Sequence, residues 1–466
     1  MDINLPQDFS GNTNNPQFHS TTTQTQITQK PVDKAERIST VDMIRGVALC
    51  GILLMNIPGF GIHWSAFDRM IRGPQNTADF YTMEVISVFF EGTMRGLFSM
   101  LFGAGMLLFT MNKKETLGGP SVAELYYRRL LLLVAFGVFN AYVLLWVGDI
   151  LFFYGLCGML LYPFRKTAAK WLFALGLLWI CFNMIKGQIN YNEERDKRAA
   201  HNEAVQAKKE GKTLTDEQKA AKAEWLQREN WRPDSMNVQR DISKVRGSYA
   251  TVFNYYLPRN SGGEIWGTYH WAFWDCVAMM LIGMAFFRWG YFSNKPRTST
   301  YIMGLLVGYG IGIPIGYIMF SQGEIYRTLH LGAYVDAYTV NHQTLYDLKR
   351  LFLCLGHASL IMLVFRSNLL NWLMKALANV GQMAFTNYLM QSIICTLIFH
   401  GYGLGFYNKL QFHQLYYVVG AVWIFQLITS SIWLKYYRFG PFEWLWRSMT
   451  YWKKQPMRLK QKVVRE

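Results

Sequence analysis

Apolar runs of about 20 residues alternate along this chain with short polar connectors, and each run is long enough to cross a hydrocarbon core of ~30 Å as a helix. The pattern predicts spans near 41–60, 85–110, 128–145, 148–164, 170–187, 268–289, 300–320, 346–365, 376–399 and 414–434. The expected fold class is therefore all-α: a polytopic helical membrane protein of about ten transmembrane helices. Residues 1–36, rich in Gln, Asn and Thr, read as a disordered polar leader and lack the basic-plus-apolar pattern of a cleaved signal. Two membrane bundles, 37–188 and 268–450, flank a charged insertion at 189–267, and a basic tail occupies 451–466.

The connectors carry the orientation. Lys30, Lys34 and Arg37 precede span one; Lys113, Lys114, Arg128 and Arg129 join spans two and three; Arg165, Lys166 and Lys170 join four and five; Arg288, Lys295 and Arg297 join six and seven. Arg366, Lys375 and the segment after Lys435 continue the series. Short loops rich in Lys and Arg stay in the cytoplasm, so both termini are expected inside and the insertion outside. The insertion's charged run, NEERDKRAAHNEAVQAKKEGKTLTDEQKAAKAEW, reads as a solvated helical hairpin or a disordered segment.

Composition sharpens the picture at two points. The chain has 466 residues, 51% of them hydrophobic and only 17% charged, with a formal net charge of +17. That charge sits at helix ends and not on one face among stacking aromatics, so nucleic acid is not the expected partner; the lipid bilayer and its anionic head groups are. Cys50, Cys157, Cys181, Cys276, Cys354 and Cys395 all fall in apolar segments without the spacing of a metal site or redox pair, so no metal is expected.

Polar side chains at membrane depth are expensive and mark function by default. Span one has the densest set. Asp42 and Arg45 lie three apart at its cytoplasmic mouth, where they can form a local ion pair. Asn56 follows Arg45 by eleven residues, almost three turns, so the two point the same way about 16 Å apart along the axis. A cation at the inner mouth and an amide near the outer leaflet suit an elongated anionic ligand that enters from the cytoplasm. Further candidates are Arg95, Asp149 in GDILFFYG, His270 and Asp275 at the head of span six, His357 in span eight, and Asn387 with Gln391, an i, i+4 amide pair in span nine.

Span seven carries Gly304, Gly308, Gly312 and Gly316 at intervals of four, a stripe on which another helix can pack, either within the subunit or across a homodimer. There is no glycine-rich phosphate loop, no GxSxG elbow, no HExxH and no run of regularly spaced arginines, so ATPase, serine hydrolase and voltage-sensor chemistry lose support.

The segments RISTVDMIRGVALCGILLMN, LFSMLFGAGM, GDILFFYGLCGML, GQMAFTNYLMQSIICTLIFHGYGLGF and FGPFEWLWRSMTYWK resemble the YeiB-type bacterial membrane proteins, a family of unknown function. The resemblance runs from Arg37 to about Lys454, except across the insertion. Span one is in turn similar to heparan-alpha-glucosaminide N-acetyltransferase and, more distantly, to the transmembrane acyltransferases of bacterial surface polysaccharides. That resemblance implies a bacterial inner-membrane protein that binds acyl-CoA, such as acetyl-CoA, from the cytoplasm and delivers the acyl group to an acceptor on the outer side. It implies Asp42 and Arg45 as cofactor-binding residues, Asn56 in place of the span-one histidine, and His63, seven residues on, as the reactive histidine. The competing reading is a small-solute transporter that uses the same intramembrane polar residues; no internal repeat joins spans one to five with six to ten.

Overall fold

The computed structural model describes residues 39–65, 77–111, 119–230, 234–328 and 330–459, with the side chains at 268–272 and 324–330 left aside. The polar leader, the basic residues Lys30, Lys34, Arg37, Lys113 and Lys114, the His270 side chain and the tail after 459 lie outside these. Among the described residues the chain is helical, without a β-sheet.

Helix α1 (Ser39–Gly61) is the axis of the bundle: 17 of its 23 residues are buried, and Pro58 stands in its last turn. Span two is α2 (Ala78–Val85), a π-helical turn at Ile86–Phe90, and α3 (Thr93–Met111), with a break at Glu91 and Gly92. Gly92 takes φ +72°, a left-handed conformation that glycine adopts without penalty. Helix α4 (Val122–Tyr142) ends before an irregular stretch at 143–150, and α5 (Leu151–Leu161) begins only after Asp149. The sequence predicts helix from 148; the structure leaves Gly148 and Asp149 non-helical, because the Asp149 carboxylate accepts the Phe152 amide and so caps α5.

Helix α6 (Ala169–Lys209) runs unbroken for 41 residues, so no boundary at 188 is visible in the backbone. Its outer half is rich in Ala, Glu, Gln, Lys and Arg, all good helix formers that need no apolar face to persist. Helix α7 (Asp216–Glu229) folds back on it from a capping box of Thr215 and Gln218, which yields the hairpin form of the insertion. Trp225, Tyr191 and Tyr334 form the small core that holds the hairpin. The rest of the insertion, α8 (Ser235–Val245) and α9 (Tyr249–Gly262), packs instead around the C-terminal end of α1: Ile242, Val245, Val252, Tyr255 and Tyr256 share a core with Leu53, Ile57 and Phe60.

A π-helical segment at Gly263–Ala272 leads into α10 (Phe273–Arg288), followed by α11 (Thr298–Thr328), α12 (His330–Ala337), α13 (Tyr346–Ser367), α14 (Asn371–Gln382), α15 (Ala384–Phe399), α16 (Phe412–Tyr436) and the short α17 (Pro441–Thr450). Among the described residues six helical stretches are long and apolar enough to cross a membrane: Ser39–Gly61, Ala78–Met111, Ala169–Lys209, Thr298–Gly323, His342–Ser367 and Phe412–Tyr436. The other predicted spans coincide with α4, α5, α10 and the broken pair α14 and α15, of which α15 is a shorter apolar helix. The protein is a multi-pass, all-α membrane protein.

The glycine stripe of α11 packs within the subunit. A Cβ at Gly308 would lie 2.6 Å from the Cα of Gly356 and 2.7 Å from the Phe352 carbonyl oxygen, so only glycine lets α11 meet α13 here. The basic connectors gather at one end of the bundle: Thr40 Oγ1 donates to the Phe292 carbonyl at 2.5 Å, Arg288 to the Arg165 carbonyl at 2.5 Å, and Trp446 Nε1 to the Arg129 carbonyl at 2.9 Å. At the opposite end Asn408 donates to the Gly61 carbonyl and Gly401 to that of Val245.

Candidate functional site

Three helix interruptions meet to open an internal cavity of about 480 Å³. The break at Glu91 and Gly92, the irregular 143–150 stretch and the π-helical segment after α9 each contribute to its wall, with Asn56 of α1, Arg95 of α3, and Gln343 and Tyr346 at the head of α13. Irregular backbone at membrane depth is tolerated where it lines such a space. Asn56 is half-buried, and its amide makes no hydrogen bond to protein among the described residues. An uncommitted intramembrane amide can both donate to a ligand carbonyl and accept a ligand proton.

Beside the cavity lies a group of ion pairs. Arg95 Nε donates to Asp275 Oδ2 at 2.9 Å, while its Nη2 reaches Asp275 Oδ1 at 3.3 Å and the Tyr346 hydroxyl at 2.9 Å. Arg350, fully buried, bonds Asp275 and also Asp347 at 3.1 Å, and Asn183 donates to Asp347 at 3.1 Å. Two arginines and two aspartates therefore cancel in charge, the arrangement that lets ions survive burial. Lys349, 1% exposed, donates to the Ser87 carbonyl at 3.2 Å and lies 3.7 Å from a Glu91 oxygen. The network fixes the Arg95 guanidinium at the cavity wall, where about a third of the side chain stays accessible.

A second cavity of about 180 Å³ opens at the end where the basic connectors gather. Arg45, Arg129 and Arg447 line it together with Glu443, against a wall that includes Phe98, Phe102, Tyr126 and Trp446. Arg45 pairs with Asp42 at 2.8 Å, as their spacing predicts. Arg129 stacks over the Trp446 ring at 3.9 Å. Glu443 accepts the amides of Phe385 and Thr386 and so caps α15 where the chain breaks from α14. Ile150 lines both cavities, so the two spaces share a wall.

The structure thus puts Arg45 in one cavity and Asn56, Arg95 and Asp149 in the other. It does not bring His63 to them: that ring is buried just past the C-terminal end of α1, bonded to Ser65 at 2.8 Å and 3.8 Å from Asp241. His357 bridges helices, with Nδ1 accepting from Tyr309 at 2.7 Å and Nε2 donating to the Phe89 carbonyl at 2.9 Å; those partners fix one neutral tautomer. Asn387 and Gln391 pair not with each other but with α16, through Ser430 at 2.9 Å and Gln426 at 3.1 Å, and Gln426 returns a bond to the Asn387 carbonyl. Residues that sequence reasoning missed are Glu91, Glu264, Asn260, Asp347, Lys349, Arg350 and Glu443. The DLKR run ahead of an apolar span was the available signal for three of them.

Comparison with known proteins follows the same outline. A family model described as "Protein of unknown function (DUF418)" matches residues 286–453. The uncharacterized protein YxaH of Bacillus subtilis is 30% identical over 447 residues, covering 93% of this chain and 99% of that protein. The uncharacterized protein YeiB of Escherichia coli is 29% identical over 427 residues, covering 89% and 96%. No solved structure matches.

Proposed function

This chain belongs to the YeiB-like DUF418 family of membrane proteins, and from that membership and the two cavities we propose that it moves an acyl group from cytoplasmic acyl-CoA to an acceptor at the outer side of a bacterial inner membrane. The observation that carries this reading is the uncommitted amide of Asn56, which faces the larger cavity on the same helix that presents Arg45 to the smaller one. Under the proposal the end with Arg45, Arg129 and Arg447 lies in the cytoplasm, where its excess of positive charge suits the phosphates of a CoA thioester. Asn56 then polarises the thioester carbonyl, a donor aimed at the oxygen on which charge develops. Arg95, held by Asp275 and Tyr346, adds a second donor at that cavity.

The transport reading draws on one observation of its own: the helix break at Glu91 and Gly92 falls at the cavity, as in transporters with discontinuous helices. Calorimetry with acetyl-CoA on the purified protein separates the two. Arg45→Ala should weaken binding, and most at low salt, because an electrostatic contact is screened as ionic strength rises. Asn56→Ala should spare binding and slow release of CoA thiol by about 10²-fold, the loss of one oxyanion donor. Absence of acetyl-CoA binding at millimolar ligand, or unchanged binding in Arg45→Ala, removes the acyl-transfer reading in favour of transport.

A further inference from the structure

Glu91 stands inside the apolar stretch Ala78–Met111, at the break between the π-helical turn and α3, where a carboxylate is costly and marks function by default. The local backbone holds it in place. Its amide donates to the Ile86 carbonyl at 2.9 Å, and a Cβ on the next residue, Gly92, would collide with the Tyr346 hydroxyl. That hydroxyl accepts from Arg95 Nη2 at 2.9 Å, so the break carrying Glu91 and the Arg95 guanidinium are both fixed against Tyr346 at one wall of the larger cavity.

An acyl transfer in this cavity needs a group that takes a proton, because the acceptor's nucleophilic atom loses one on joining the acyl carbon and the departing CoA sulfur gains one. His63 lies elsewhere, and no histidine lines the cavity among the described residues. Asp275, at its edge, is bound by both Arg95 and Arg350. Asp149, 6% exposed, accepts from the Asn140 amide at 2.7 Å, the Phe152 backbone amide at 2.9 Å and the Tyr388 hydroxyl at 3.5 Å. Glu264 accepts from the Tyr142 hydroxyl at 2.9 Å. Glu91 differs: 48% of its side chain stays accessible, and Lys349 lies 3.7 Å from its Oε2, beyond hydrogen-bond distance. Lys349 therefore offsets the charge through space and leaves the carboxylate open to a proton from the cavity.

We propose that Glu91 is the general base of the transfer, an assignment that rests on the acyl-transfer reading. Glu91 takes the proton from the acceptor's nucleophilic atom as that atom bonds to the thioester carbon. The carbon–sulfur bond then breaks, and the proton passes from Glu91 to the departing sulfur. One acyl group has moved, one S–H bond has formed, and Glu91 is a carboxylate again. Asn56 polarises the carbonyl throughout, so the two residues divide the work: the amide serves the oxygen and the carboxylate serves the proton.

The test uses the full-length protein purified in detergent, with acetyl-CoA as donor and water as acceptor; released CoA thiol is read by a chromogenic disulfide and donor binding by calorimetry. Glu91→Gln, which keeps the shape and loses the base, should leave the acetyl-CoA Kd unchanged and slow thiol release by about 10²-fold or more. Glu91→Ala should lose as much, and added formate, a small carboxylate that fits the vacated space, should restore part of the rate in Glu91→Ala but not in Glu91→Gln. A merely structural role for Glu91 gives no such rescue. Thermal melting of each variant confirms that it is folded. Thiol release in Glu91→Gln within threefold of wild type, absence of formate rescue in a folded Glu91→Ala, or wild-type protein that binds acetyl-CoA yet releases thiol no faster than free solution overturns the base assignment alone. Wild-type protein that does not bind acetyl-CoA removes the acyl-transfer reading and the base with it.

Discussion

Arg350→Met is the sharpest test of how this bundle holds its charges. Arg350 is fully buried and pairs with Asp275 and Asp347, so an isosteric apolar side chain leaves Asp275 with Arg95 alone and Asp347 with the Asn183 amide alone. Removing one partner of a buried ion pair costs about 3–5 kcal/mol, because the surviving charge stays desolvated. Asp347→Asn should cost less, since Asp347 is the more exposed aspartate and Arg350 keeps Asp275. The double variant should be more stable than the sum of the two losses by roughly 1 kcal/mol or more, as expected of residues in contact. Unfolding in mixed detergent micelles with increasing SDS, followed by tryptophan fluorescence, gives the four free energies of this cycle. If Arg350→Met unfolds within about 1 kcal/mol of wild type, the cluster is not holding the bundle together and the reasoning from burial is wrong.

Gly308→Leu should destabilise the same bundle by at least the 1–3 kcal/mol typical of overpacking, because the new side chain must displace the Gly356 backbone; an unchanged melting temperature counts against the α11 and α13 packing. His201, buried in the outer hairpin beside Trp225 and Arg198, has its pKa pushed below the ordinary value by burial first and the arginine second. Its unfolded form binds the proton better, so hairpin stability is full above about pH 6.5 and falls as the pH drops below it. Asp336, held below the ordinary carboxylate range by its hydrogen bond from Arg198, loses its contribution only at lower pH. Proteolysis within 190–229 should therefore speed up between pH 7 and pH 5 in wild type and less so in His201→Gln; equal acceleration in both refutes the assignment. A cysteine at Glu210, beside the turn of the hairpin, should react with an impermeant maleimide on intact cells; reaction only after lysis reverses the proposed orientation.

The sequence made the all-α multi-pass architecture, the glycine stripe and the Asp42 and Arg45 pair legible, because each depends on a pattern within single helices. It hid what depends on the meeting of several. The cluster of Arg95, Asp275, Asp347 and Arg350 draws on three helices; Arg95 and Asp275 stand out in the sequence, whereas Asp347 and Arg350 read as interfacial until their partners are seen. His357 and the Asn387 and Gln391 pair read as reactive candidates for the same reason: their partners Tyr309, Phe89, Ser430 and Gln426 come from other parts of the chain. Asn56 differs from these in keeping an uncommitted amide after folding, and that distinction has no trace in the one-dimensional pattern.

Helix α6 has a mechanical consequence. Its 41 residues give a rod of about 60 Å, anchored in the bundle through Leu172, Gly176 and Ile180 and carrying the hairpin at its far end. A rod of that length is a lever: each degree of tilt at the anchored end sweeps the tip by about 1 Å. A rearrangement around α10, against which Gly176 packs, is thereby written as a larger displacement on the water-exposed surface, where a spectroscopic label can read it from outside the membrane.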